Sequence, residues 1–205
     1  MELIPHTLIK LKNKDLIYAD TSVPAWVKKS LEISSYSVVR RGFQSEYIPV
    51  GIRGFKKNQR FAACIKKSNI ESTYLPSDAL KKIDTVPNTR LNLPAFQSLL
   101  KIRNHLSMFE WGVGGSLQFE LITGIPMVTE KSDLDLLITC PPVPLSHKEA
   151  NQLLKKLQFL STVHLDIQVL NHQNGFSLEE FALQRNKTIL VKTMVGPILM
   201  DDPWI

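Results

Sequence analysis

Residues Ser132-Asp133-Leu134-Asp135-Leu136-Leu137-Ile138 decide the fold of this 205-residue chain. The apolar run from Leu134 to Thr139 is typical of a buried strand, and Asp133 and Asp135 stand two residues apart at its start. Because side chains alternate along a strand, both carboxylates point to one face. Carboxylates this close repel each other unless a cation neutralises them. An isolated Asp-x-Asp is more often an ordinary exposed strand end, so the neighbouring sequence must decide.

A glycine-rich turn, Trp111-Gly112-Val113-Gly114-Gly115-Ser116, precedes the aspartates. It lies between a predicted strand at residues 109–113 and a predicted short helix at residues 117–122. Backbone amides at a helix start and a serine hydroxyl bind phosphate oxygens. The turn therefore predicts that Gly115 and Ser116 hold a phosphate group.

A third carboxylate follows on a later predicted strand. The odd-numbered residues of that strand are apolar, so Asp166 faces the same way as His164 and Gln168. Three carboxylates near a phosphate-binding turn meet the needs of two-metal phosphoryl or nucleotidyl transfer, in which two Mg²⁺ hold the attacking and leaving oxygens. We therefore expect Asp133, Asp135 and Asp166 to be catalytic and to bind Mg²⁺. His164 fits a local hydrogen bond as well as a catalytic base.

The second half of the chain alternates helices and strands around these motifs. One helix is predicted after Pro94, where apolar residues recur every three to four positions. Another is predicted over residues 146–160, where Ser146 and Glu149 have capping-box spacing. A last strand is predicted at residues 188–191. This order favours a mixed sheet flanked by helices.

The first half predicts mainly short strands, broken by Asn, Gly and Pro, at residues 7–11, 16–19, 37–41, 47–53 and 59–65. Two short helices are predicted at residues 24–31 and 76–82. Residues 84–94 have little apolar periodicity and form the candidate linker. We therefore expect an α/β (α+β) protein with a small β-rich domain at residues 1–88 and a catalytic domain at residues 89–205.

Charge is unevenly divided between these halves. Residues 1–88 hold 15 of the 25 Lys and Arg but only 8 of the 19 Asp and Glu. This division indicates that the first half attracts an anionic ligand or partner while the second holds cations, although many of the lysines simply aid solubility.

Composition excludes several classes of protein. The hydrophobic share of 43% and the charged share of 21% are typical of a globular protein. No apolar run approaches the roughly 20 residues that span a bilayer, so we expect no membrane partner and a cytoplasmic location. Cys64 and Cys140 lie in apolar runs, which favours small buried side chains over a disulfide or a metal site.

The order of Gly-Ser turn, Asp-x-Asp pair and distant aspartate resembles the polymerase-β-like nucleotidyltransferase superfamily. Sixteen residues separate Ser116 from Asp133, more than is usual there. With this longer spacing, residues 115–126 (Gly-Ser-Leu-Gln-Phe-Glu-Leu-Ile-Thr-Gly-Ile-Pro) resemble the malonate decarboxylase phosphoribosyl-dephospho-CoA transferase family, also called holo-acyl-carrier-protein synthase. Its amino-terminal motifs are similar to Val38-Val39-Arg40-Arg41, Ile48-Pro49-Val50-Gly51-Ile52-Arg53-Gly54 and Asn58-Gln59-Arg60.

The resemblance implies a polymerase-β-like nucleotidyltransferase domain and a defined reaction. The serine hydroxyl of the apo acyl carrier subunit of malonate decarboxylase would attack the α-phosphorus of 2′-(5″-triphosphoribosyl)-3′-dephospho-CoA, and diphosphate would leave. By analogy, Asp133 and Asp135 would bind both Mg²⁺ ions and Asp166 would complete the site that activates the hydroxyl. Gly115 and Ser116 would hold the leaving phosphates.

The basic residues of the first half gain candidate roles from the same resemblance. Four arginines are expected to pair with the triphosphate or the CoA diphosphate, with surface salt bridges as the equal alternative: Arg40, Arg41, Arg53 and Arg60. Lys56 and Lys57 are expected to present charge to an acidic carrier protein. Glu120 and Thr123 either line the pocket or cap local structure.

Two other functions stay open on the sequence. One is a nucleotidyltransferase that moves a nucleotide from an NTP to a small molecule, RNA or a protein. The other is a non-catalytic basic module that binds RNA or an acidic protein. Aromatic residues on the basic strands are few, chiefly Phe43, Tyr47, Phe55 and Phe61, which argues against a stacking platform for nucleic acid.

Overall fold

The structure is a computed structural model that describes residues 3–56 and 58–205. The chain divides into two compact units, Met1–Leu75 and Pro76–Ile205. Each unit has its own sheet and its own apolar core. The predicted mixed α/β class, with a β-rich first part, is confirmed.

The first unit is an antiparallel sheet of order β4-β3-β2-β1-β5 with one helix, α1 (Ala25–Ile33). Alternate residues of the third strand, Ile48, Val50 and Ile52, are buried in one core with Val27 and Leu31 of α1. One face of this sheet therefore packs on α1. The strands are β1 (Leu8–Leu11), β2 (Tyr36–Val39), β3 (Tyr47–Arg53), β4 (Arg60–Lys66) and β5 (Ile70–Tyr74).

Two details of the first unit differ from the sequence prediction. Residues 16–19, predicted as a strand, contribute only a single bridge between Tyr18 and Cys64. Strand β5 was not predicted, because Ile-Glu-Ser-Thr-Tyr has little apolar alternation and forms an edge strand after a short 3₁₀ turn at Lys67–Asn69. Cys64 and Cys140 are both free and half-buried, and burial raises the pKa of the Cys140 thiol.

The second unit is a mixed six-stranded sheet of order β11-β10-β9-β8-β7-β6. The pair β7 and β8 is parallel, and every other pair is antiparallel. Because β7 and β8 are parallel, both strands start at the same edge of the sheet. The chain between them crosses over through a helix. The strands are β6 (Trp111–Val113), β7 (Leu134–Thr139), β8 (Leu165–Asn171), β9 (Asn174–Ser177), β10 (Ile189–Thr193) and β11 (Gly196–Met200).

Helices fill one face of this second sheet. The core joins Leu136 of β7 and Ile167 of β8 to Phe96, Leu154 and Leu157 of the helices. Since alternate strand residues point the other way, the opposite face carries the polar side chains of β7 and β8. The helices are α2 (Pro76–Leu80), α3 (Asn88–Leu91), α4 (Pro94–Ile102), α5 (Gly115–Thr123), α6 (His147–Leu160) and α7 (Leu178–Leu183), with 3₁₀ turns at Ile83–Thr85 and Arg103–Leu106.

The division between the units lies before the predicted linker. Residues 76–88, assigned to the first domain from the sequence, belong to the second unit. The reason is burial, because Ala79 and Ile83 enter the second core. The stretch 84–94 is also structured and contains α3.

The predicted capping box of α6 is confirmed. The Ser146 hydroxyl accepts a hydrogen bond from the Glu149 amide, and the Glu149 carboxylate accepts one from the Ser146 amide. These bonds satisfy amides at the helix start. The pKa of the Glu149 carboxyl is lowered, first because the Ser146 hydroxyl also donates to it over 2.6 Å and then because the Ser146 amide does. Among the described residues, no helix is long and apolar enough to cross a membrane.

Candidate active site

Asp135 and Asp166 stand side by side at the start of the parallel pair β7 and β8. They are register partners, so both side chains point to the same face of the sheet. This is the face opposite the helices, and we call it the carboxylate face; it carries Asp135, Leu137, Asp166 and Gln168. Both aspartates are half-buried. The sheet therefore brings together two aspartates that lie 31 residues apart in the chain.

The glycine turn presses against the first of these carboxylates. The Gly114 amide donates to the Asp135 carbonyl oxygen over 3.0 Å, which ties the turn to β7. Gly115 has a φ of +58°, and a Cβ there would overlap the Asp135 carboxylate oxygen Oδ2. Only glycine satisfies both conditions. The Asp135 carboxylate is thus held directly at the turn.

Helix α5 begins at this turn. Its first internal bond joins the Gln118 amide to the Gly114 carbonyl oxygen over 3.0 Å. The amides that precede Gln118 are those that a helix start presents to an anion. Ser116 lies among them and is 7% exposed. The local geometry is therefore that of a phosphate-binding turn beside two carboxylates.

Asp133, the third of the predicted catalytic aspartates, lies outside the two paired strands. Asp133 precedes β7 and is exposed, two residues before Asp135. Within residues 3–56 and 58–205, the side chains as placed form no group of three or more His, Cys, Asp or Glu that would hold a metal ion. The structure thus pairs Asp135 with Asp166 and leaves Asp133 at the edge of the same site.

Three of the four predicted arginines share one face of the first unit's sheet. Arg53 and Arg60 are register partners on β3 and β4, so their side chains lie on the same face. The stem of Arg40 lies over Gly51, where a Cβ would be 3.4 Å from Arg40 Cδ. We call this the arginine face; it is the side of the sheet opposite α1 and carries Gly51, Arg53, Arg60 and Ala62, with Arg40 above it.

The arginine face lacks carboxylate partners for two of its guanidinium groups. Across the described part of the chain, neither Arg40 nor Arg60 forms an ion pair. Both side chains are exposed, as is Ala62 of β4. Arg41 differs, because it is half-buried and burial lowers the pKa of its guanidinium.

Comparison with known proteins identifies the chain. Residues 4–76 match the family described as the phosphoribosyl-dephospho-CoA transferase MdcG N-terminal domain, and residues 81–203 match the corresponding C-terminal domain. The chain belongs to this transferase family. The resemblance seen in the sequence is therefore confirmed, and with it the expectation of a transferase enzyme.

Relatives of this family cover nearly the whole chain. A phosphoribosyl-dephospho-CoA transferase of Pseudomonas syringae pv. tomato is 32% identical over 98% of this chain and 93% of its own length. One from Klebsiella pneumoniae strain 342 is 31% identical over 98% and 95%, and one from Pseudomonas aeruginosa is 32% identical over 89% and 86%. No solved structure is significantly similar.

In this family member, an ion pair between half-buried Arg90 and buried Glu120 holds the segment between the phosphate turn and Asp133. Arg90 donates to both oxygens of the Glu120 carboxylate, over 2.7 and 2.8 Å. The same carboxylate accepts the amides of Met127 and Val128 at 2.7 Å each, and Arg90 donates to the Val128 carbonyl oxygen. Of the two roles predicted for Glu120, the structure supports the structural one.

The charge state of Glu120 follows from these contacts. Burial alone would raise the pKa of its carboxyl, but the hydrogen bonds from Arg90 and the two amides outweigh burial and lower the pKa. The Glu120 hydrogen bond raises the pKa of Arg90. Sequence reasoning missed this pair because Arg90 lies in the predicted linker, and only tertiary structure brings it to Glu120.

The remaining predicted residues take local positions. Thr123 caps the end of α5, since its hydroxyl donates to the Phe119 carbonyl oxygen and accepts from the Ile125 amide. His164 is exposed, and its carbonyl oxygen accepts from the Leu134 amide. Lys56 is exposed, and Lys57 lies outside the described residues.

Proposed function

We propose that this chain transfers the 2′-(5″-phosphoribosyl)-3′-dephospho-CoA group from its triphosphoribosyl precursor to a serine of the apo acyl carrier subunit of malonate decarboxylase, in the cytoplasm, with release of diphosphate. The observation that carries the proposal is the register pair of Asp135 and Asp166 beside the Gly115 turn. The names of the relatives, phosphoribosyl-dephospho-CoA transferases, support the choice of donor.

The proposed step exchanges a phosphoanhydride bond for a phosphodiester bond. The serine oxygen of the carrier forms a bond to the α-phosphorus as the bond from that phosphorus to diphosphate breaks. The hydroxyl proton passes to the Asp166 carboxylate, which stands beside Asp135 on the carboxylate face. Gly115, Ser116 and the first amides of α5 hold the leaving phosphates and keep the breaking bond in line with the attacking oxygen.

The donor set of the carboxylate face suits Mg²⁺, which prefers oxygen ligands. Asp135 and Asp166 offer two carboxylates from one face, and Asp133, exposed just before β7, would complete the set. Bound there, Mg²⁺ would neutralise the charge that develops on the transferred phosphoryl group.

The arginine face supplies positive charge for the donor. Arg53 and Arg60 place two guanidinium groups side by side, and planar guanidinium groups bind phosphate oxygens in pairs. Arg40 adds a third beside Gly51, and Arg41 contributes from a half-buried position. We propose that these four arginines bind the phosphates of the donor.

Intact-mass analysis of the apo carrier subunit tests the proposal. The subunit is incubated with the triphosphoribosyl precursor, Mg²⁺ and this protein, and we expect a gain equal to the phosphoribosyl-dephospho-CoA group. A carrier of unchanged mass, with all components folded, would contradict the proposal. Diphosphate release with ATP in place of the precursor would favour an NTP-dependent nucleotidyltransferase instead.

A further inference from the structure

Gln168 is a buried polar side chain on the carboxylate face that the proposed reaction does not yet use. It lies two residues beyond Asp166 on β8, and its register partner on β7 is Leu137. Leu137 in turn lies under the phosphate turn, since a Cβ on Gly114 would be 3.3 Å from Leu137 Cδ1. Gln168 is therefore the next side chain after Asp166 on this face, about 6.6 Å along the strand. We call the position of Leu137 and Gln168 the second row of the carboxylate face.

The carboxamide oxygen of Gln168 is buried and lacks a hydrogen-bond partner among the described residues. The residue as a whole is 9% exposed, and the buried oxygen is Oε1. Most buried polar atoms in proteins are bonded, because leaving one unsatisfied is unfavourable by the full cost of its desolvation. An apolar residue of the same size would fill this position without that cost. The polar group is thus unexplained by folding and points to a ligand.

We propose that Gln168 binds the donor by accepting a hydrogen bond from a hydroxyl of its ribosyl group. The inference rests on the proposed function. A buried acceptor needs a proton donor, and ionised phosphate oxygens have none to give. The ribosyl ring is attached directly to the reacting α-phosphate, so its hydroxyl groups are the proton donors nearest to Asp135 and Asp166. The second row of the carboxylate face is the place where that ring would lie.

Two measurements on Gln168→Met test this role. Met is close to Gln in size and removes the polar group. We expect the melting temperature of the free protein to rise by about 2–4 °C, because an unsatisfied polar group is lost. We expect KM for the triphosphoribosyl precursor to rise about tenfold to a hundredfold with kcat little changed, because the contact exists in both ground and transition states.

Gln173→Met is the matched control. Gln173 is also 9% exposed but lies in the turn between β8 and β9, seven residues along the chain from Asp166. Its replacement should leave KM for the precursor unchanged.

Several outcomes would overturn the inference. A lower melting temperature or a failure to fold in Gln168→Met would show that the carboxamide supports the fold. Unchanged KM, or a loss confined to kcat, would show that it does not hold the donor. If instead the wild-type protein neither binds nor uses the precursor, the proposed function itself fails, and that result is read on the wild type alone.

Discussion

The two units of this protein each carry one pair of like charges on neighbouring strands, and the pairs have opposite sign. Asp135 and Asp166 are partners in a parallel ladder, and Arg53 and Arg60 are partners in an antiparallel one. Like charges directly opposite each other tend to destabilise a sheet. The signs of the two pairs suit the proposed ligands, a cation at the aspartates and the phosphates of the donor at the arginines.

The surroundings of the two pairs differ. The aspartates are half-buried, and one of them is held against Gly115, so the geometry around it is rigid. Arg60 is exposed on an open sheet face with small neighbours such as Ala62. The acidic pair therefore has closely packed surroundings and the basic pair has exposed ones, a difference that fits the proposed roles in transfer and in donor binding.

The largest expected effect is on the acidic pair. Asp135→Asn keeps the size of the side chain and removes its charge. If this carboxylate acts in transfer, turnover should fall by about three orders of magnitude or more, with folding retained because the size of the side chain is unchanged. Rates of mass gain on the apo carrier measure it, and Asp84→Asn, an exposed aspartate outside the site, is the control. Wild-type turnover in Asp135→Asn would remove the acidic pair from the mechanism.

Two glycine substitutions compare the rigidity of the two sites. Gly115→Ala places a Cβ onto the Asp135 carboxylate at a positive φ, so we expect a loss of about 1–3 kcal/mol in stability and nearly complete loss of activity. Gly51→Ala on the arginine face meets its nearest neighbour at 3.3 Å without a positive φ and should be tolerated. Thermal melting and turnover are measured for both variants. Equal losses in the two variants would show that the two sites do not differ in rigidity.

The Arg90–Glu120 ion pair, in which the charges are opposite, can be compared with the two like-charge pairs. Glu120→Gln leaves Arg90 without its counter-charge, and Glu120 is only 6% exposed. Breaking a fully buried pair costs about 3–5 kcal/mol. Because Arg90 is half-buried and remains partly hydrated, we expect a smaller loss of about 2–4 kcal/mol in the free energy of unfolding. Denaturant unfolding measures it, with Glu46→Gln, which breaks the more exposed contact to Lys66, as control. A loss in Glu120→Gln no greater than in the control would mean that the Arg90–Glu120 pair contributes little.

A smaller effect is expected on the arginine face. Arg60→Gln should raise KM for the triphosphoribosyl precursor about tenfold, which is the loss of one charge-assisted hydrogen bond. Stability should be unchanged or slightly higher, because the repulsion from Arg53 is removed. Lys28→Gln on the exposed side of α1 is the matched loss of charge away from this face. An equal effect of the two variants would indicate that only net charge matters.

The smallest effect is a pH dependence. The pKa of Glu120 is lowered in the folded protein, so its ion pair contributes fully above the ordinary value of 4.5 and is lost as pH falls through the lowered pKa. The stability difference between wild type and Glu120→Gln should therefore be constant from neutral pH down to about 4.5 and shrink below it. Unfolding curves across that range measure the difference. A difference that persists unchanged at lower pH would contradict the assignment.

Local patterns predicted much of this molecule. Alternation in Tyr47–Arg53 and the capping box at Ser146 and Glu149 are short-range signals, and both elements formed as expected. The placement of Asp135 beside Asp166 also follows from side-chain alternation once the strands pair. What the sequence could not reveal were long-range contacts: the Arg90–Glu120 pair, the entry of Ala79 and Ile83 into the second core, and the unsatisfied oxygen of Gln168.

The hydrogen bonds to the Glu120 carboxylate, which we call the Glu120 anchor, limit where the segment before Asp133 can change in length. The carboxylate fixes the chain as far as Val128, and the exposed turn from Thr129 to Ser132 then leads into the strand. Residues inserted or deleted in that turn would change neither the anchor nor β7. The number of residues between the phosphate turn and Asp133 can therefore change within this turn, in natural relatives or by engineering. The segment from Glu120 to Val128 cannot change in length without loss of the anchor.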